Sequence, residues 1–347
     1  MISADKLYHW YKEHLSGFRD EAEQKSLFEH DREVVVRGEV RKVRIPIYEK
    51  ENMGKNMAVD EKQINEEMHT VLTNRDTGKL AMLARSVSFE ELSQILDPED
   101  FINRNVETLT RDLSPTYRKL GDVCFFNASH IADKFHIIKN MLDAMQSVRV
   151  RYRQEVLRKK RLAYEAYKLT EKQRRKDCQN QGIPYVRKKF VYTNDIAQNR
   201  ETFLELLARS RFLLYKFSHQ WTDTQKRRAT ALFVHFSEIQ KAYQLACDFR
   251  IWYRKENIYK PKPLIISRLK QWYQDVQDAD VDEILNFKSS VERNQLAITN
   301  YFSSGHTNAI AENMNGKIQQ FISANKGTRD IDFFYFKVKK KFAGTSK

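Results

Sequence analysis

From Asn56 the chain alternates apolar and polar positions in short runs, NMAVDEKQI and then MHTVLTNRDTGKLAMLA, the second interrupted by Asn74, Asp76 and Gly78. A period of two buries one face of a strand, and Asn, Asp and Gly tolerate tight reversals, so the pattern predicts three consecutive antiparallel strands. SFEELSQIL follows as a short helix, with Ser88 as its N-cap and Glu91 at the reciprocal capping position. NVETLTRD reads as a fourth strand, Ser114 and Pro115 suit the start of the next helix, and SHIADKFHI is a fifth strand running into a helix. Upstream, Ser3 can cap a helix reaching about Leu15, and REVVVRGEVRKVRIPIY alternates on both sides of Gly38 as a hairpin does. Residues 1–55 therefore read as a small accessory unit.

Beyond the fifth strand the period changes. Ile138, Met141, Met145, Val148 and Tyr152 recur every three or four residues, the spacing that buries one helix face. Gly182 and Pro184 end that element, the stretch from Thr222 to Asn257 forms another, and Pro261 and Pro263 break the chain again. The expected fold class is α+β, a ribonuclease H-like mixed sheet core with a large all-helical insertion. Its first part is residues 56–137, the insertion is 138–302, and 303–347 completes the core with a helix bearing Glu312 and a basic C-terminus.

Charge adds a partner. With 61 Lys and Arg against 46 Asp and Glu, the formal net charge is +15, which favours a polyanion through phosphate contact and counterion release. The run RVRYRQEVLRKKR concentrates seven basic residues, Arg149, Arg151, Arg153, Arg158, Lys159, Lys160 and Arg161, against one acidic residue on a predicted helix. It is either a track for phosphates or a solvated face. KVKKK at 337–341 is a second such contact, and Tyr152, Trp221, Trp252 and Trp272 are either stacking surfaces or core residues. Cys124, Cys178 and Cys247 lie far apart, with no CxxC or Cys/His cluster, which argues against a zinc module and a disulfide framework. The N-terminus lacks the apolar core of a signal peptide, and no run of about 18 apolar residues occurs, so neither export nor a membrane span is expected.

The chemistry rests on carboxylates. Asp60 falls at the end of the first predicted core strand and Asp112 at the end of the fourth, strands that lie side by side in such a fold. Two carboxylates so placed repel unless a cation separates them, and hard oxygen ligands suit Mg²⁺ or Mn²⁺. Glu61 and Asp76 compete for these roles. Helical spacing puts Ile310, Met314, Ile318 and Phe321 on one stripe and Asn308, Glu312 and Asn315 on another, making Glu312 either a third ligand or a solvated residue behind an Asn308 cap. Asp133 and His136, in ADKFHIIK, form a D-x-x-H step that either serves the site or bonds locally where the insertion leaves the core.

MAVDE around Asp60, TLTRDLSPTY around Asp112, IADKFHIIK around Asp133, TNAIAENMNGKIQ around Glu312 and the closing KGTRDIDFFYFKVKKKF stand in one order. Over roughly residues 56–342 that order resembles the bacterial insertion-sequence transposases with a DDE catalytic core, the group with DKFH and TN…E…N motifs. The resemblance implies two Mg²⁺ or Mn²⁺ ions held by Asp60, Asp112 and Glu312, supported by Asp133, His136, Asn308 and Asn315. Asp133 is the alternative second ligand. It also implies cleavage and strand transfer at transposon ends, with end and target DNA as partners, a homodimer in the synaptic complex, and a cytoplasmic protein associated with the nucleoid when bound. Full-length relatives carry an N-terminal zinc module and a helix-turn-helix, which the first 55 residues do not match. A separate helix-turn-helix protein is therefore expected to select the ends, unless the element is truncated and inert. The competing readings are an inactive or domesticated DNA-binding protein of the same fold and a metal-dependent nuclease.

Overall fold

The computed structural model describes every residue except 1–2, 24–27, 97–101, 103–104, 193–195, 305–308, 325–329 and 345–347, and every side chain of the remainder except those of 4, 304 and 309–312. Among the described residues the strands are β1 (Arg32–Val36), β2 (Glu39–Val43), β3 (Ile47–Tyr48), β4 (Asn56–Ile64), β5 (Glu67–Asn74), β6 (Leu80–Ala84), β7 (Thr108–Arg111) and β8 (Ser129–Ala132). The helices are α1 (Ala4–Trp10), α2 (Phe18–Glu23), α3 (Phe89–Ile95), α4 (Pro115–Cys124), α5 (Lys134–Asn180), α6 (Phe203–Arg209), α7 (Arg211–Leu214), α8 (Asp223–His235), α9 (Ser237–Trp252), α10 (Lys262–Ala279), α11 (Asp282–Arg293), α12 (Gln295–Ser304), α13 (Ala309–Ala324) and α14 (Ile331–Val338). They divide into a sheet unit of residues 1–137, 258–262 and 294–347, and a helical unit of 138–257 and 263–293.

The sheet unit is built on a six-stranded mixed sheet of order β3-β6-β5-β4-β7-β8. β4, β5 and β6 pair antiparallel, as their alternation predicts, and β4-β7 and β7-β8 pair parallel, which is the ribonuclease H-like arrangement. The β4-β5 reversal is a two-residue turn with both Asn65 (φ 51°) and Glu66 (φ 68°) left-handed, the geometry whose twist matches the flanking strands. Met57, Val59, Leu72, Met82 and Leu109 form one buried face against Leu92 of α3 and Tyr117 and Leu120 of α4. Ile47, Ile64, Val71 and Leu83 form the other, against Met314 and Ile318 of α13 and Phe334 and Tyr335 of α14.

Both sheet edges are covered. β3 pairs with β6 through Ile47↔Leu83 and Tyr48↔Met82, so the opening 55 residues are not separate from the sheet. At the other edge α12 packs on β8, and Asn300 Nδ2 donates to the His130 carbonyl at 2.9 Å. That packing places α12 in the sheet unit, and the helical unit ends at Arg293.

Local signals had mixed outcomes. Ser3 caps α1, accepting from Lys6 N, and Ser114 caps α4 with Pro115 in the first turn. Ser88 occupies the N-cap of α3 without bonding its backbone; its hydroxyl goes to Glu90, and Glu91 accepts from Ser86 Oγ instead. Pro263 opens α10 instead of breaking the chain, as a proline tolerated in a first turn can. Residues 222–257 are two helices, separated at Phe236 (φ −135°), whose ring is drawn against Tyr152 and Phe203. Trp252 and Trp272 are core residues, their indole N–H groups donating to the carbonyls of Ile265 and Leu245. No helix among the described residues is long and apolar enough to cross a membrane.

Candidate active site

Register brings three aspartates into one row. The parallel β4-β7 ladder ends at Ala58↔Thr110, and two residues further on Asp60 stands opposite Asp112. The β7-β8 ladder ends at Arg111↔Ala132, and one residue further on Asp112 stands opposite Asp133. Side chains in register on parallel strands share a face, here the face covered by α13. Asp60 thus lies at the end of the parallel ladder but within β4, which continues to Ile64 paired with β5 alone.

Each aspartate is fixed by its own backbone. Asp112 Oδ1 accepts from Ser114 N at 2.8 Å and Asp133 Oδ1 from Phe135 N at 2.9 Å, so both end a strand and open the turn into a helix. Asp60 Oδ1 accepts from Glu61 N at 2.8 Å, and its Oδ2 accepts from Asn315 Nδ2 of α13 at 2.6 Å. Asp133 Oδ2 meets His136 Nδ1 at 2.6 Å.

Burial works against the charges. Asp60 is only 8% exposed; burial lifts its pKa above the usual range, the Glu61 N–H and His136 oppose that, and Asp133 and Asp112 add to it. Asp112 is raised for the same first reason, with the Ser114 N–H, His136 and Arg111 opposing and Asp133 adding. His136 has its pKa raised by its bond to Asp133, against burial, and further by the charges of Asp133, Asp60 and Asp112. Arg111 Nη1 turns to the Asp112 backbone carbonyl (2.9 Å), and neither Asp60 nor Asp112 has an ion-pair partner among the described residues. A buried carboxylate beside a half-buried one at neighbouring strand ends is relieved by a hard divalent cation. Asn315 Oδ1 is buried with no hydrogen-bond partner among the described residues, one more oxygen of the kind such a cation takes. The donor set therefore fits Mg²⁺ or Mn²⁺.

The helix that should supply the third ligand docks on β4. Asn315 meets Asp60, and one turn later Gln319 Oε1 accepts from Lys62 Nζ at 2.7 Å, so α13 runs along the strand. The backbone of Glu312 lies one turn before Asn315 on that stripe. Its side chain and the whole of Asn308 lie outside what is described, and among the described residues no three His, Cys, Asp or Glu side chains stand close enough to hold a metal. Removing the Asn315 amide leaves one carboxylate oxygen of Asp60 without its donor; Asn315→Ala is expected to slow cleavage about tenfold, the loss of roughly 1–2 kcal/mol of positioning. An unchanged single-turnover rate would remove Asn315 from the site.

Sequence reasoning missed Tyr117. Its buried hydroxyl lies 3.2 Å from Thr70 Oγ1; burial raises its pKa, Thr70 opposes, and the charges of Glu61, Asp112 and Asp60 add to the rise. Its position three residues after the Ser114 cap, on the inward face of α4, was the available signal. Thr110 Oγ1, beneath the aspartate row, is buried without a partner.

The basic run divides. Arg149 is buried and donates to Gln146 Oε1 and the Leu207 carbonyl, and Arg151 pairs with Glu238 and Glu283, so both are engaged within the helical unit. Arg153 is half-buried, while Arg158, Lys159, Lys160 and Arg161 are exposed. At the C-terminus, Lys339 and Lys340 face Glu29, Glu49 and Glu21.

Residues 57–338 match the model of a transposase family, the DDE transposases of the ISL3 group. No curated protein and no solved structure matches the chain.

Proposed function

The chain belongs to the ISL3-group DDE transposases, and from that premise we propose that it cleaves and rejoins DNA at insertion-sequence ends, with Asp60, Asp112 and Glu312 holding two divalent cations. The observation that carries this reading is the register that sets Asp60 opposite Asp112, together with the Asn315–Asp60 bond that docks the Glu312 helix beside them. When bound, the cations would activate the attacking hydroxyl or water and stabilise the leaving oxygen. Asp60 and Asp112 present oxygens from rigid strand ends, fixed by the Glu61 and Ser114 amides. Asp133 accepts from His136 Nδ1 and so orients the ring, leaving Nε2 to accept a proton or, once the ring is protonated, to donate one. Exposed Arg158, Lys159, Lys160 and Arg161 contribute phosphate contacts. Two copies bridging two ends, and a separate helix-turn-helix protein selecting them, belong to the same proposal; specific retention of end DNA by this chain alone would remove the second.

The test is cleavage of end-containing DNA in Mg²⁺ and in EDTA, with the products resolved for hydrolysis and for joining. Strand joining in Mg²⁺ alone supports the reading; hydrolysis without joining would make the protein a nuclease, and no cleavage would make it a DNA-binding protein of the same fold.

The pH dependence has a definite sign. Cations bind the deprotonated carboxylates, and burial raises the pKa of both Asp60 and Asp112. Cleavage is expected to fall as pH drops, with an acid limb above the ordinary carboxylate range that moves to lower pH as Mg²⁺ is increased. An acid limb insensitive to Mg²⁺ would contradict the assignment.

A further inference from the structure

In the helical unit, a cleft of about 450 Å³ is lined by Tyr164, Tyr167, Arg187, Lys188, Lys189 and Phe190. Tyr164 and Tyr167 project from successive turns of α5, their rings 6.0 Å apart and nearly parallel at 21°. Phe190 meets them edge-on and tilted, 5.1 Å from Tyr164 and 5.3 Å from Tyr167.

The segment carrying Phe190 has no helix or strand of its own, yet it is tied down. Glu171 Oε2 accepts from Tyr185 Oη at 2.8 Å and from Lys188 N at 3.1 Å, and the Tyr167 hydroxyl donates to the Lys188 carbonyl. Those bonds spend the strap's backbone and leave its cations outward: Arg187, Lys188 and Lys189 are exposed and without an acidic partner among the described residues. Exposed Lys160 and Arg161 precede Tyr164 by one turn on the same helix face.

The rings are partly exposed where they line the cleft, and an acidic protein partner would not need flat aromatic faces. Cations beside partly exposed rings that line a cleft, with Lys168 Nζ also 4.7 Å from the Tyr164 centroid, suit a strand whose phosphates and base faces are both accessible. A paired duplex hides its base faces in the stack. We infer that this cleft takes an unpaired nucleotide of a DNA strand, its base against Tyr164 and Phe190 and its flanking phosphates on Lys188, Lys189, Lys160 and Arg161. The inference rests on DNA being the substrate, and not on which carboxylates hold metal.

The experiment uses the full chain in EDTA, with a single-stranded oligonucleotide carrying 2-aminopurine and the same sequence as a perfect duplex. The single strand is expected to show 2-aminopurine quenching on binding. Tyr164→Ala and Phe190→Ala are expected to weaken its binding about tenfold or more, with duplex affinity changed less than twofold. Tyr164→Phe keeps the ring and should restore both affinity and quenching, which separates loss of stacking from loss of fold. Lys188→Ala should reduce the salt dependence by about one ion. No quenching, wild-type affinity in the two alanine variants, or equal losses for single strand and duplex would each overturn the site. Asp60→Asn should leave the quenching intact, so a failure of the catalytic reading would appear in the cleavage assay and not here.

Discussion

Replacing Asp60 by asparagine is expected to lower metal-dependent cleavage about a thousandfold and, in the same protein, to raise the melting temperature measured without metal. The first effect follows from the share of barrier lowering that cations supply, several kcal/mol, at about 1.4 kcal/mol per factor of ten. The second follows from the direction of the Asp60 shift. A carboxyl whose folded pKa is raised by burial stabilises the fold while protonated, and that contribution is lost as pH rises through the folded value. At neutral pH the charge therefore opposes folding, and asparagine removes it. The amide is also accommodated: Asn315 Oδ1 has no partner among the described residues and can turn over to accept from the new amide N–H, while the remaining oxygen still accepts from Glu61 N. The expected rise is on the order of a few degrees. Mg²⁺ should stabilise the wild-type protein and not the variant. A variant that melts lower without metal, or that keeps its cleavage rate, would contradict this account. Asp112→Asn should behave alike, and the double variant should be little worse than either, since the carboxylates act as a unit.

Phe334→Ala is expected to cost about 3–5 kcal/mol of stability, a large fraction of the roughly 5–15 kcal/mol of a typical domain. Phe334 is 2% exposed and sits with Met314, Ile318 and the partly buried Phe321 of α13 against the sheet. Its loss opens a cavity under the helix that docks Asn315 on Asp60 and Gln319 on Lys62. Urea unfolding should show the destabilisation, and cleavage by the fully folded fraction should fall as well because α13 loses its seat. A stability change under about 1 kcal/mol, or a normal cleavage rate, would show that α13 is held by other means.

What the sequence disclosed follows the range of the interactions. Local signals carried the strand order, the turn at Asn74, Asp76 and Gly78, and the change to helical period after the fifth strand. Long-range pairing did not show. Ile47 and Tyr48 look like the tail of the first hairpin until β6 is seen beside them. Arg149 reads as one more cation in a basic run, because nothing nearby in sequence reveals the Leu207 carbonyl that takes it inward. Asp133 reads from sequence as a supporting residue or the alternative second ligand, and the two ladders bring it to the same row as Asp60 and Asp112. Tyr117 was passed over for the same reason: its partner Thr70 lies 47 residues away.

The coverage of the two sheet edges bears on handling the protein. β3 occupies the β6 edge with two residues, and Asn52 Nδ2 nearby ties the Leu80 carbonyl to that of Ala343. A chain shortened to begin at residue 57, where the family match starts, would strip that edge and leave the apolar backbone of Leu80, Met82 and Leu83 open to strands of other molecules. Aggregation during expression, and not loss of chemistry, is the failure that such trimming invites.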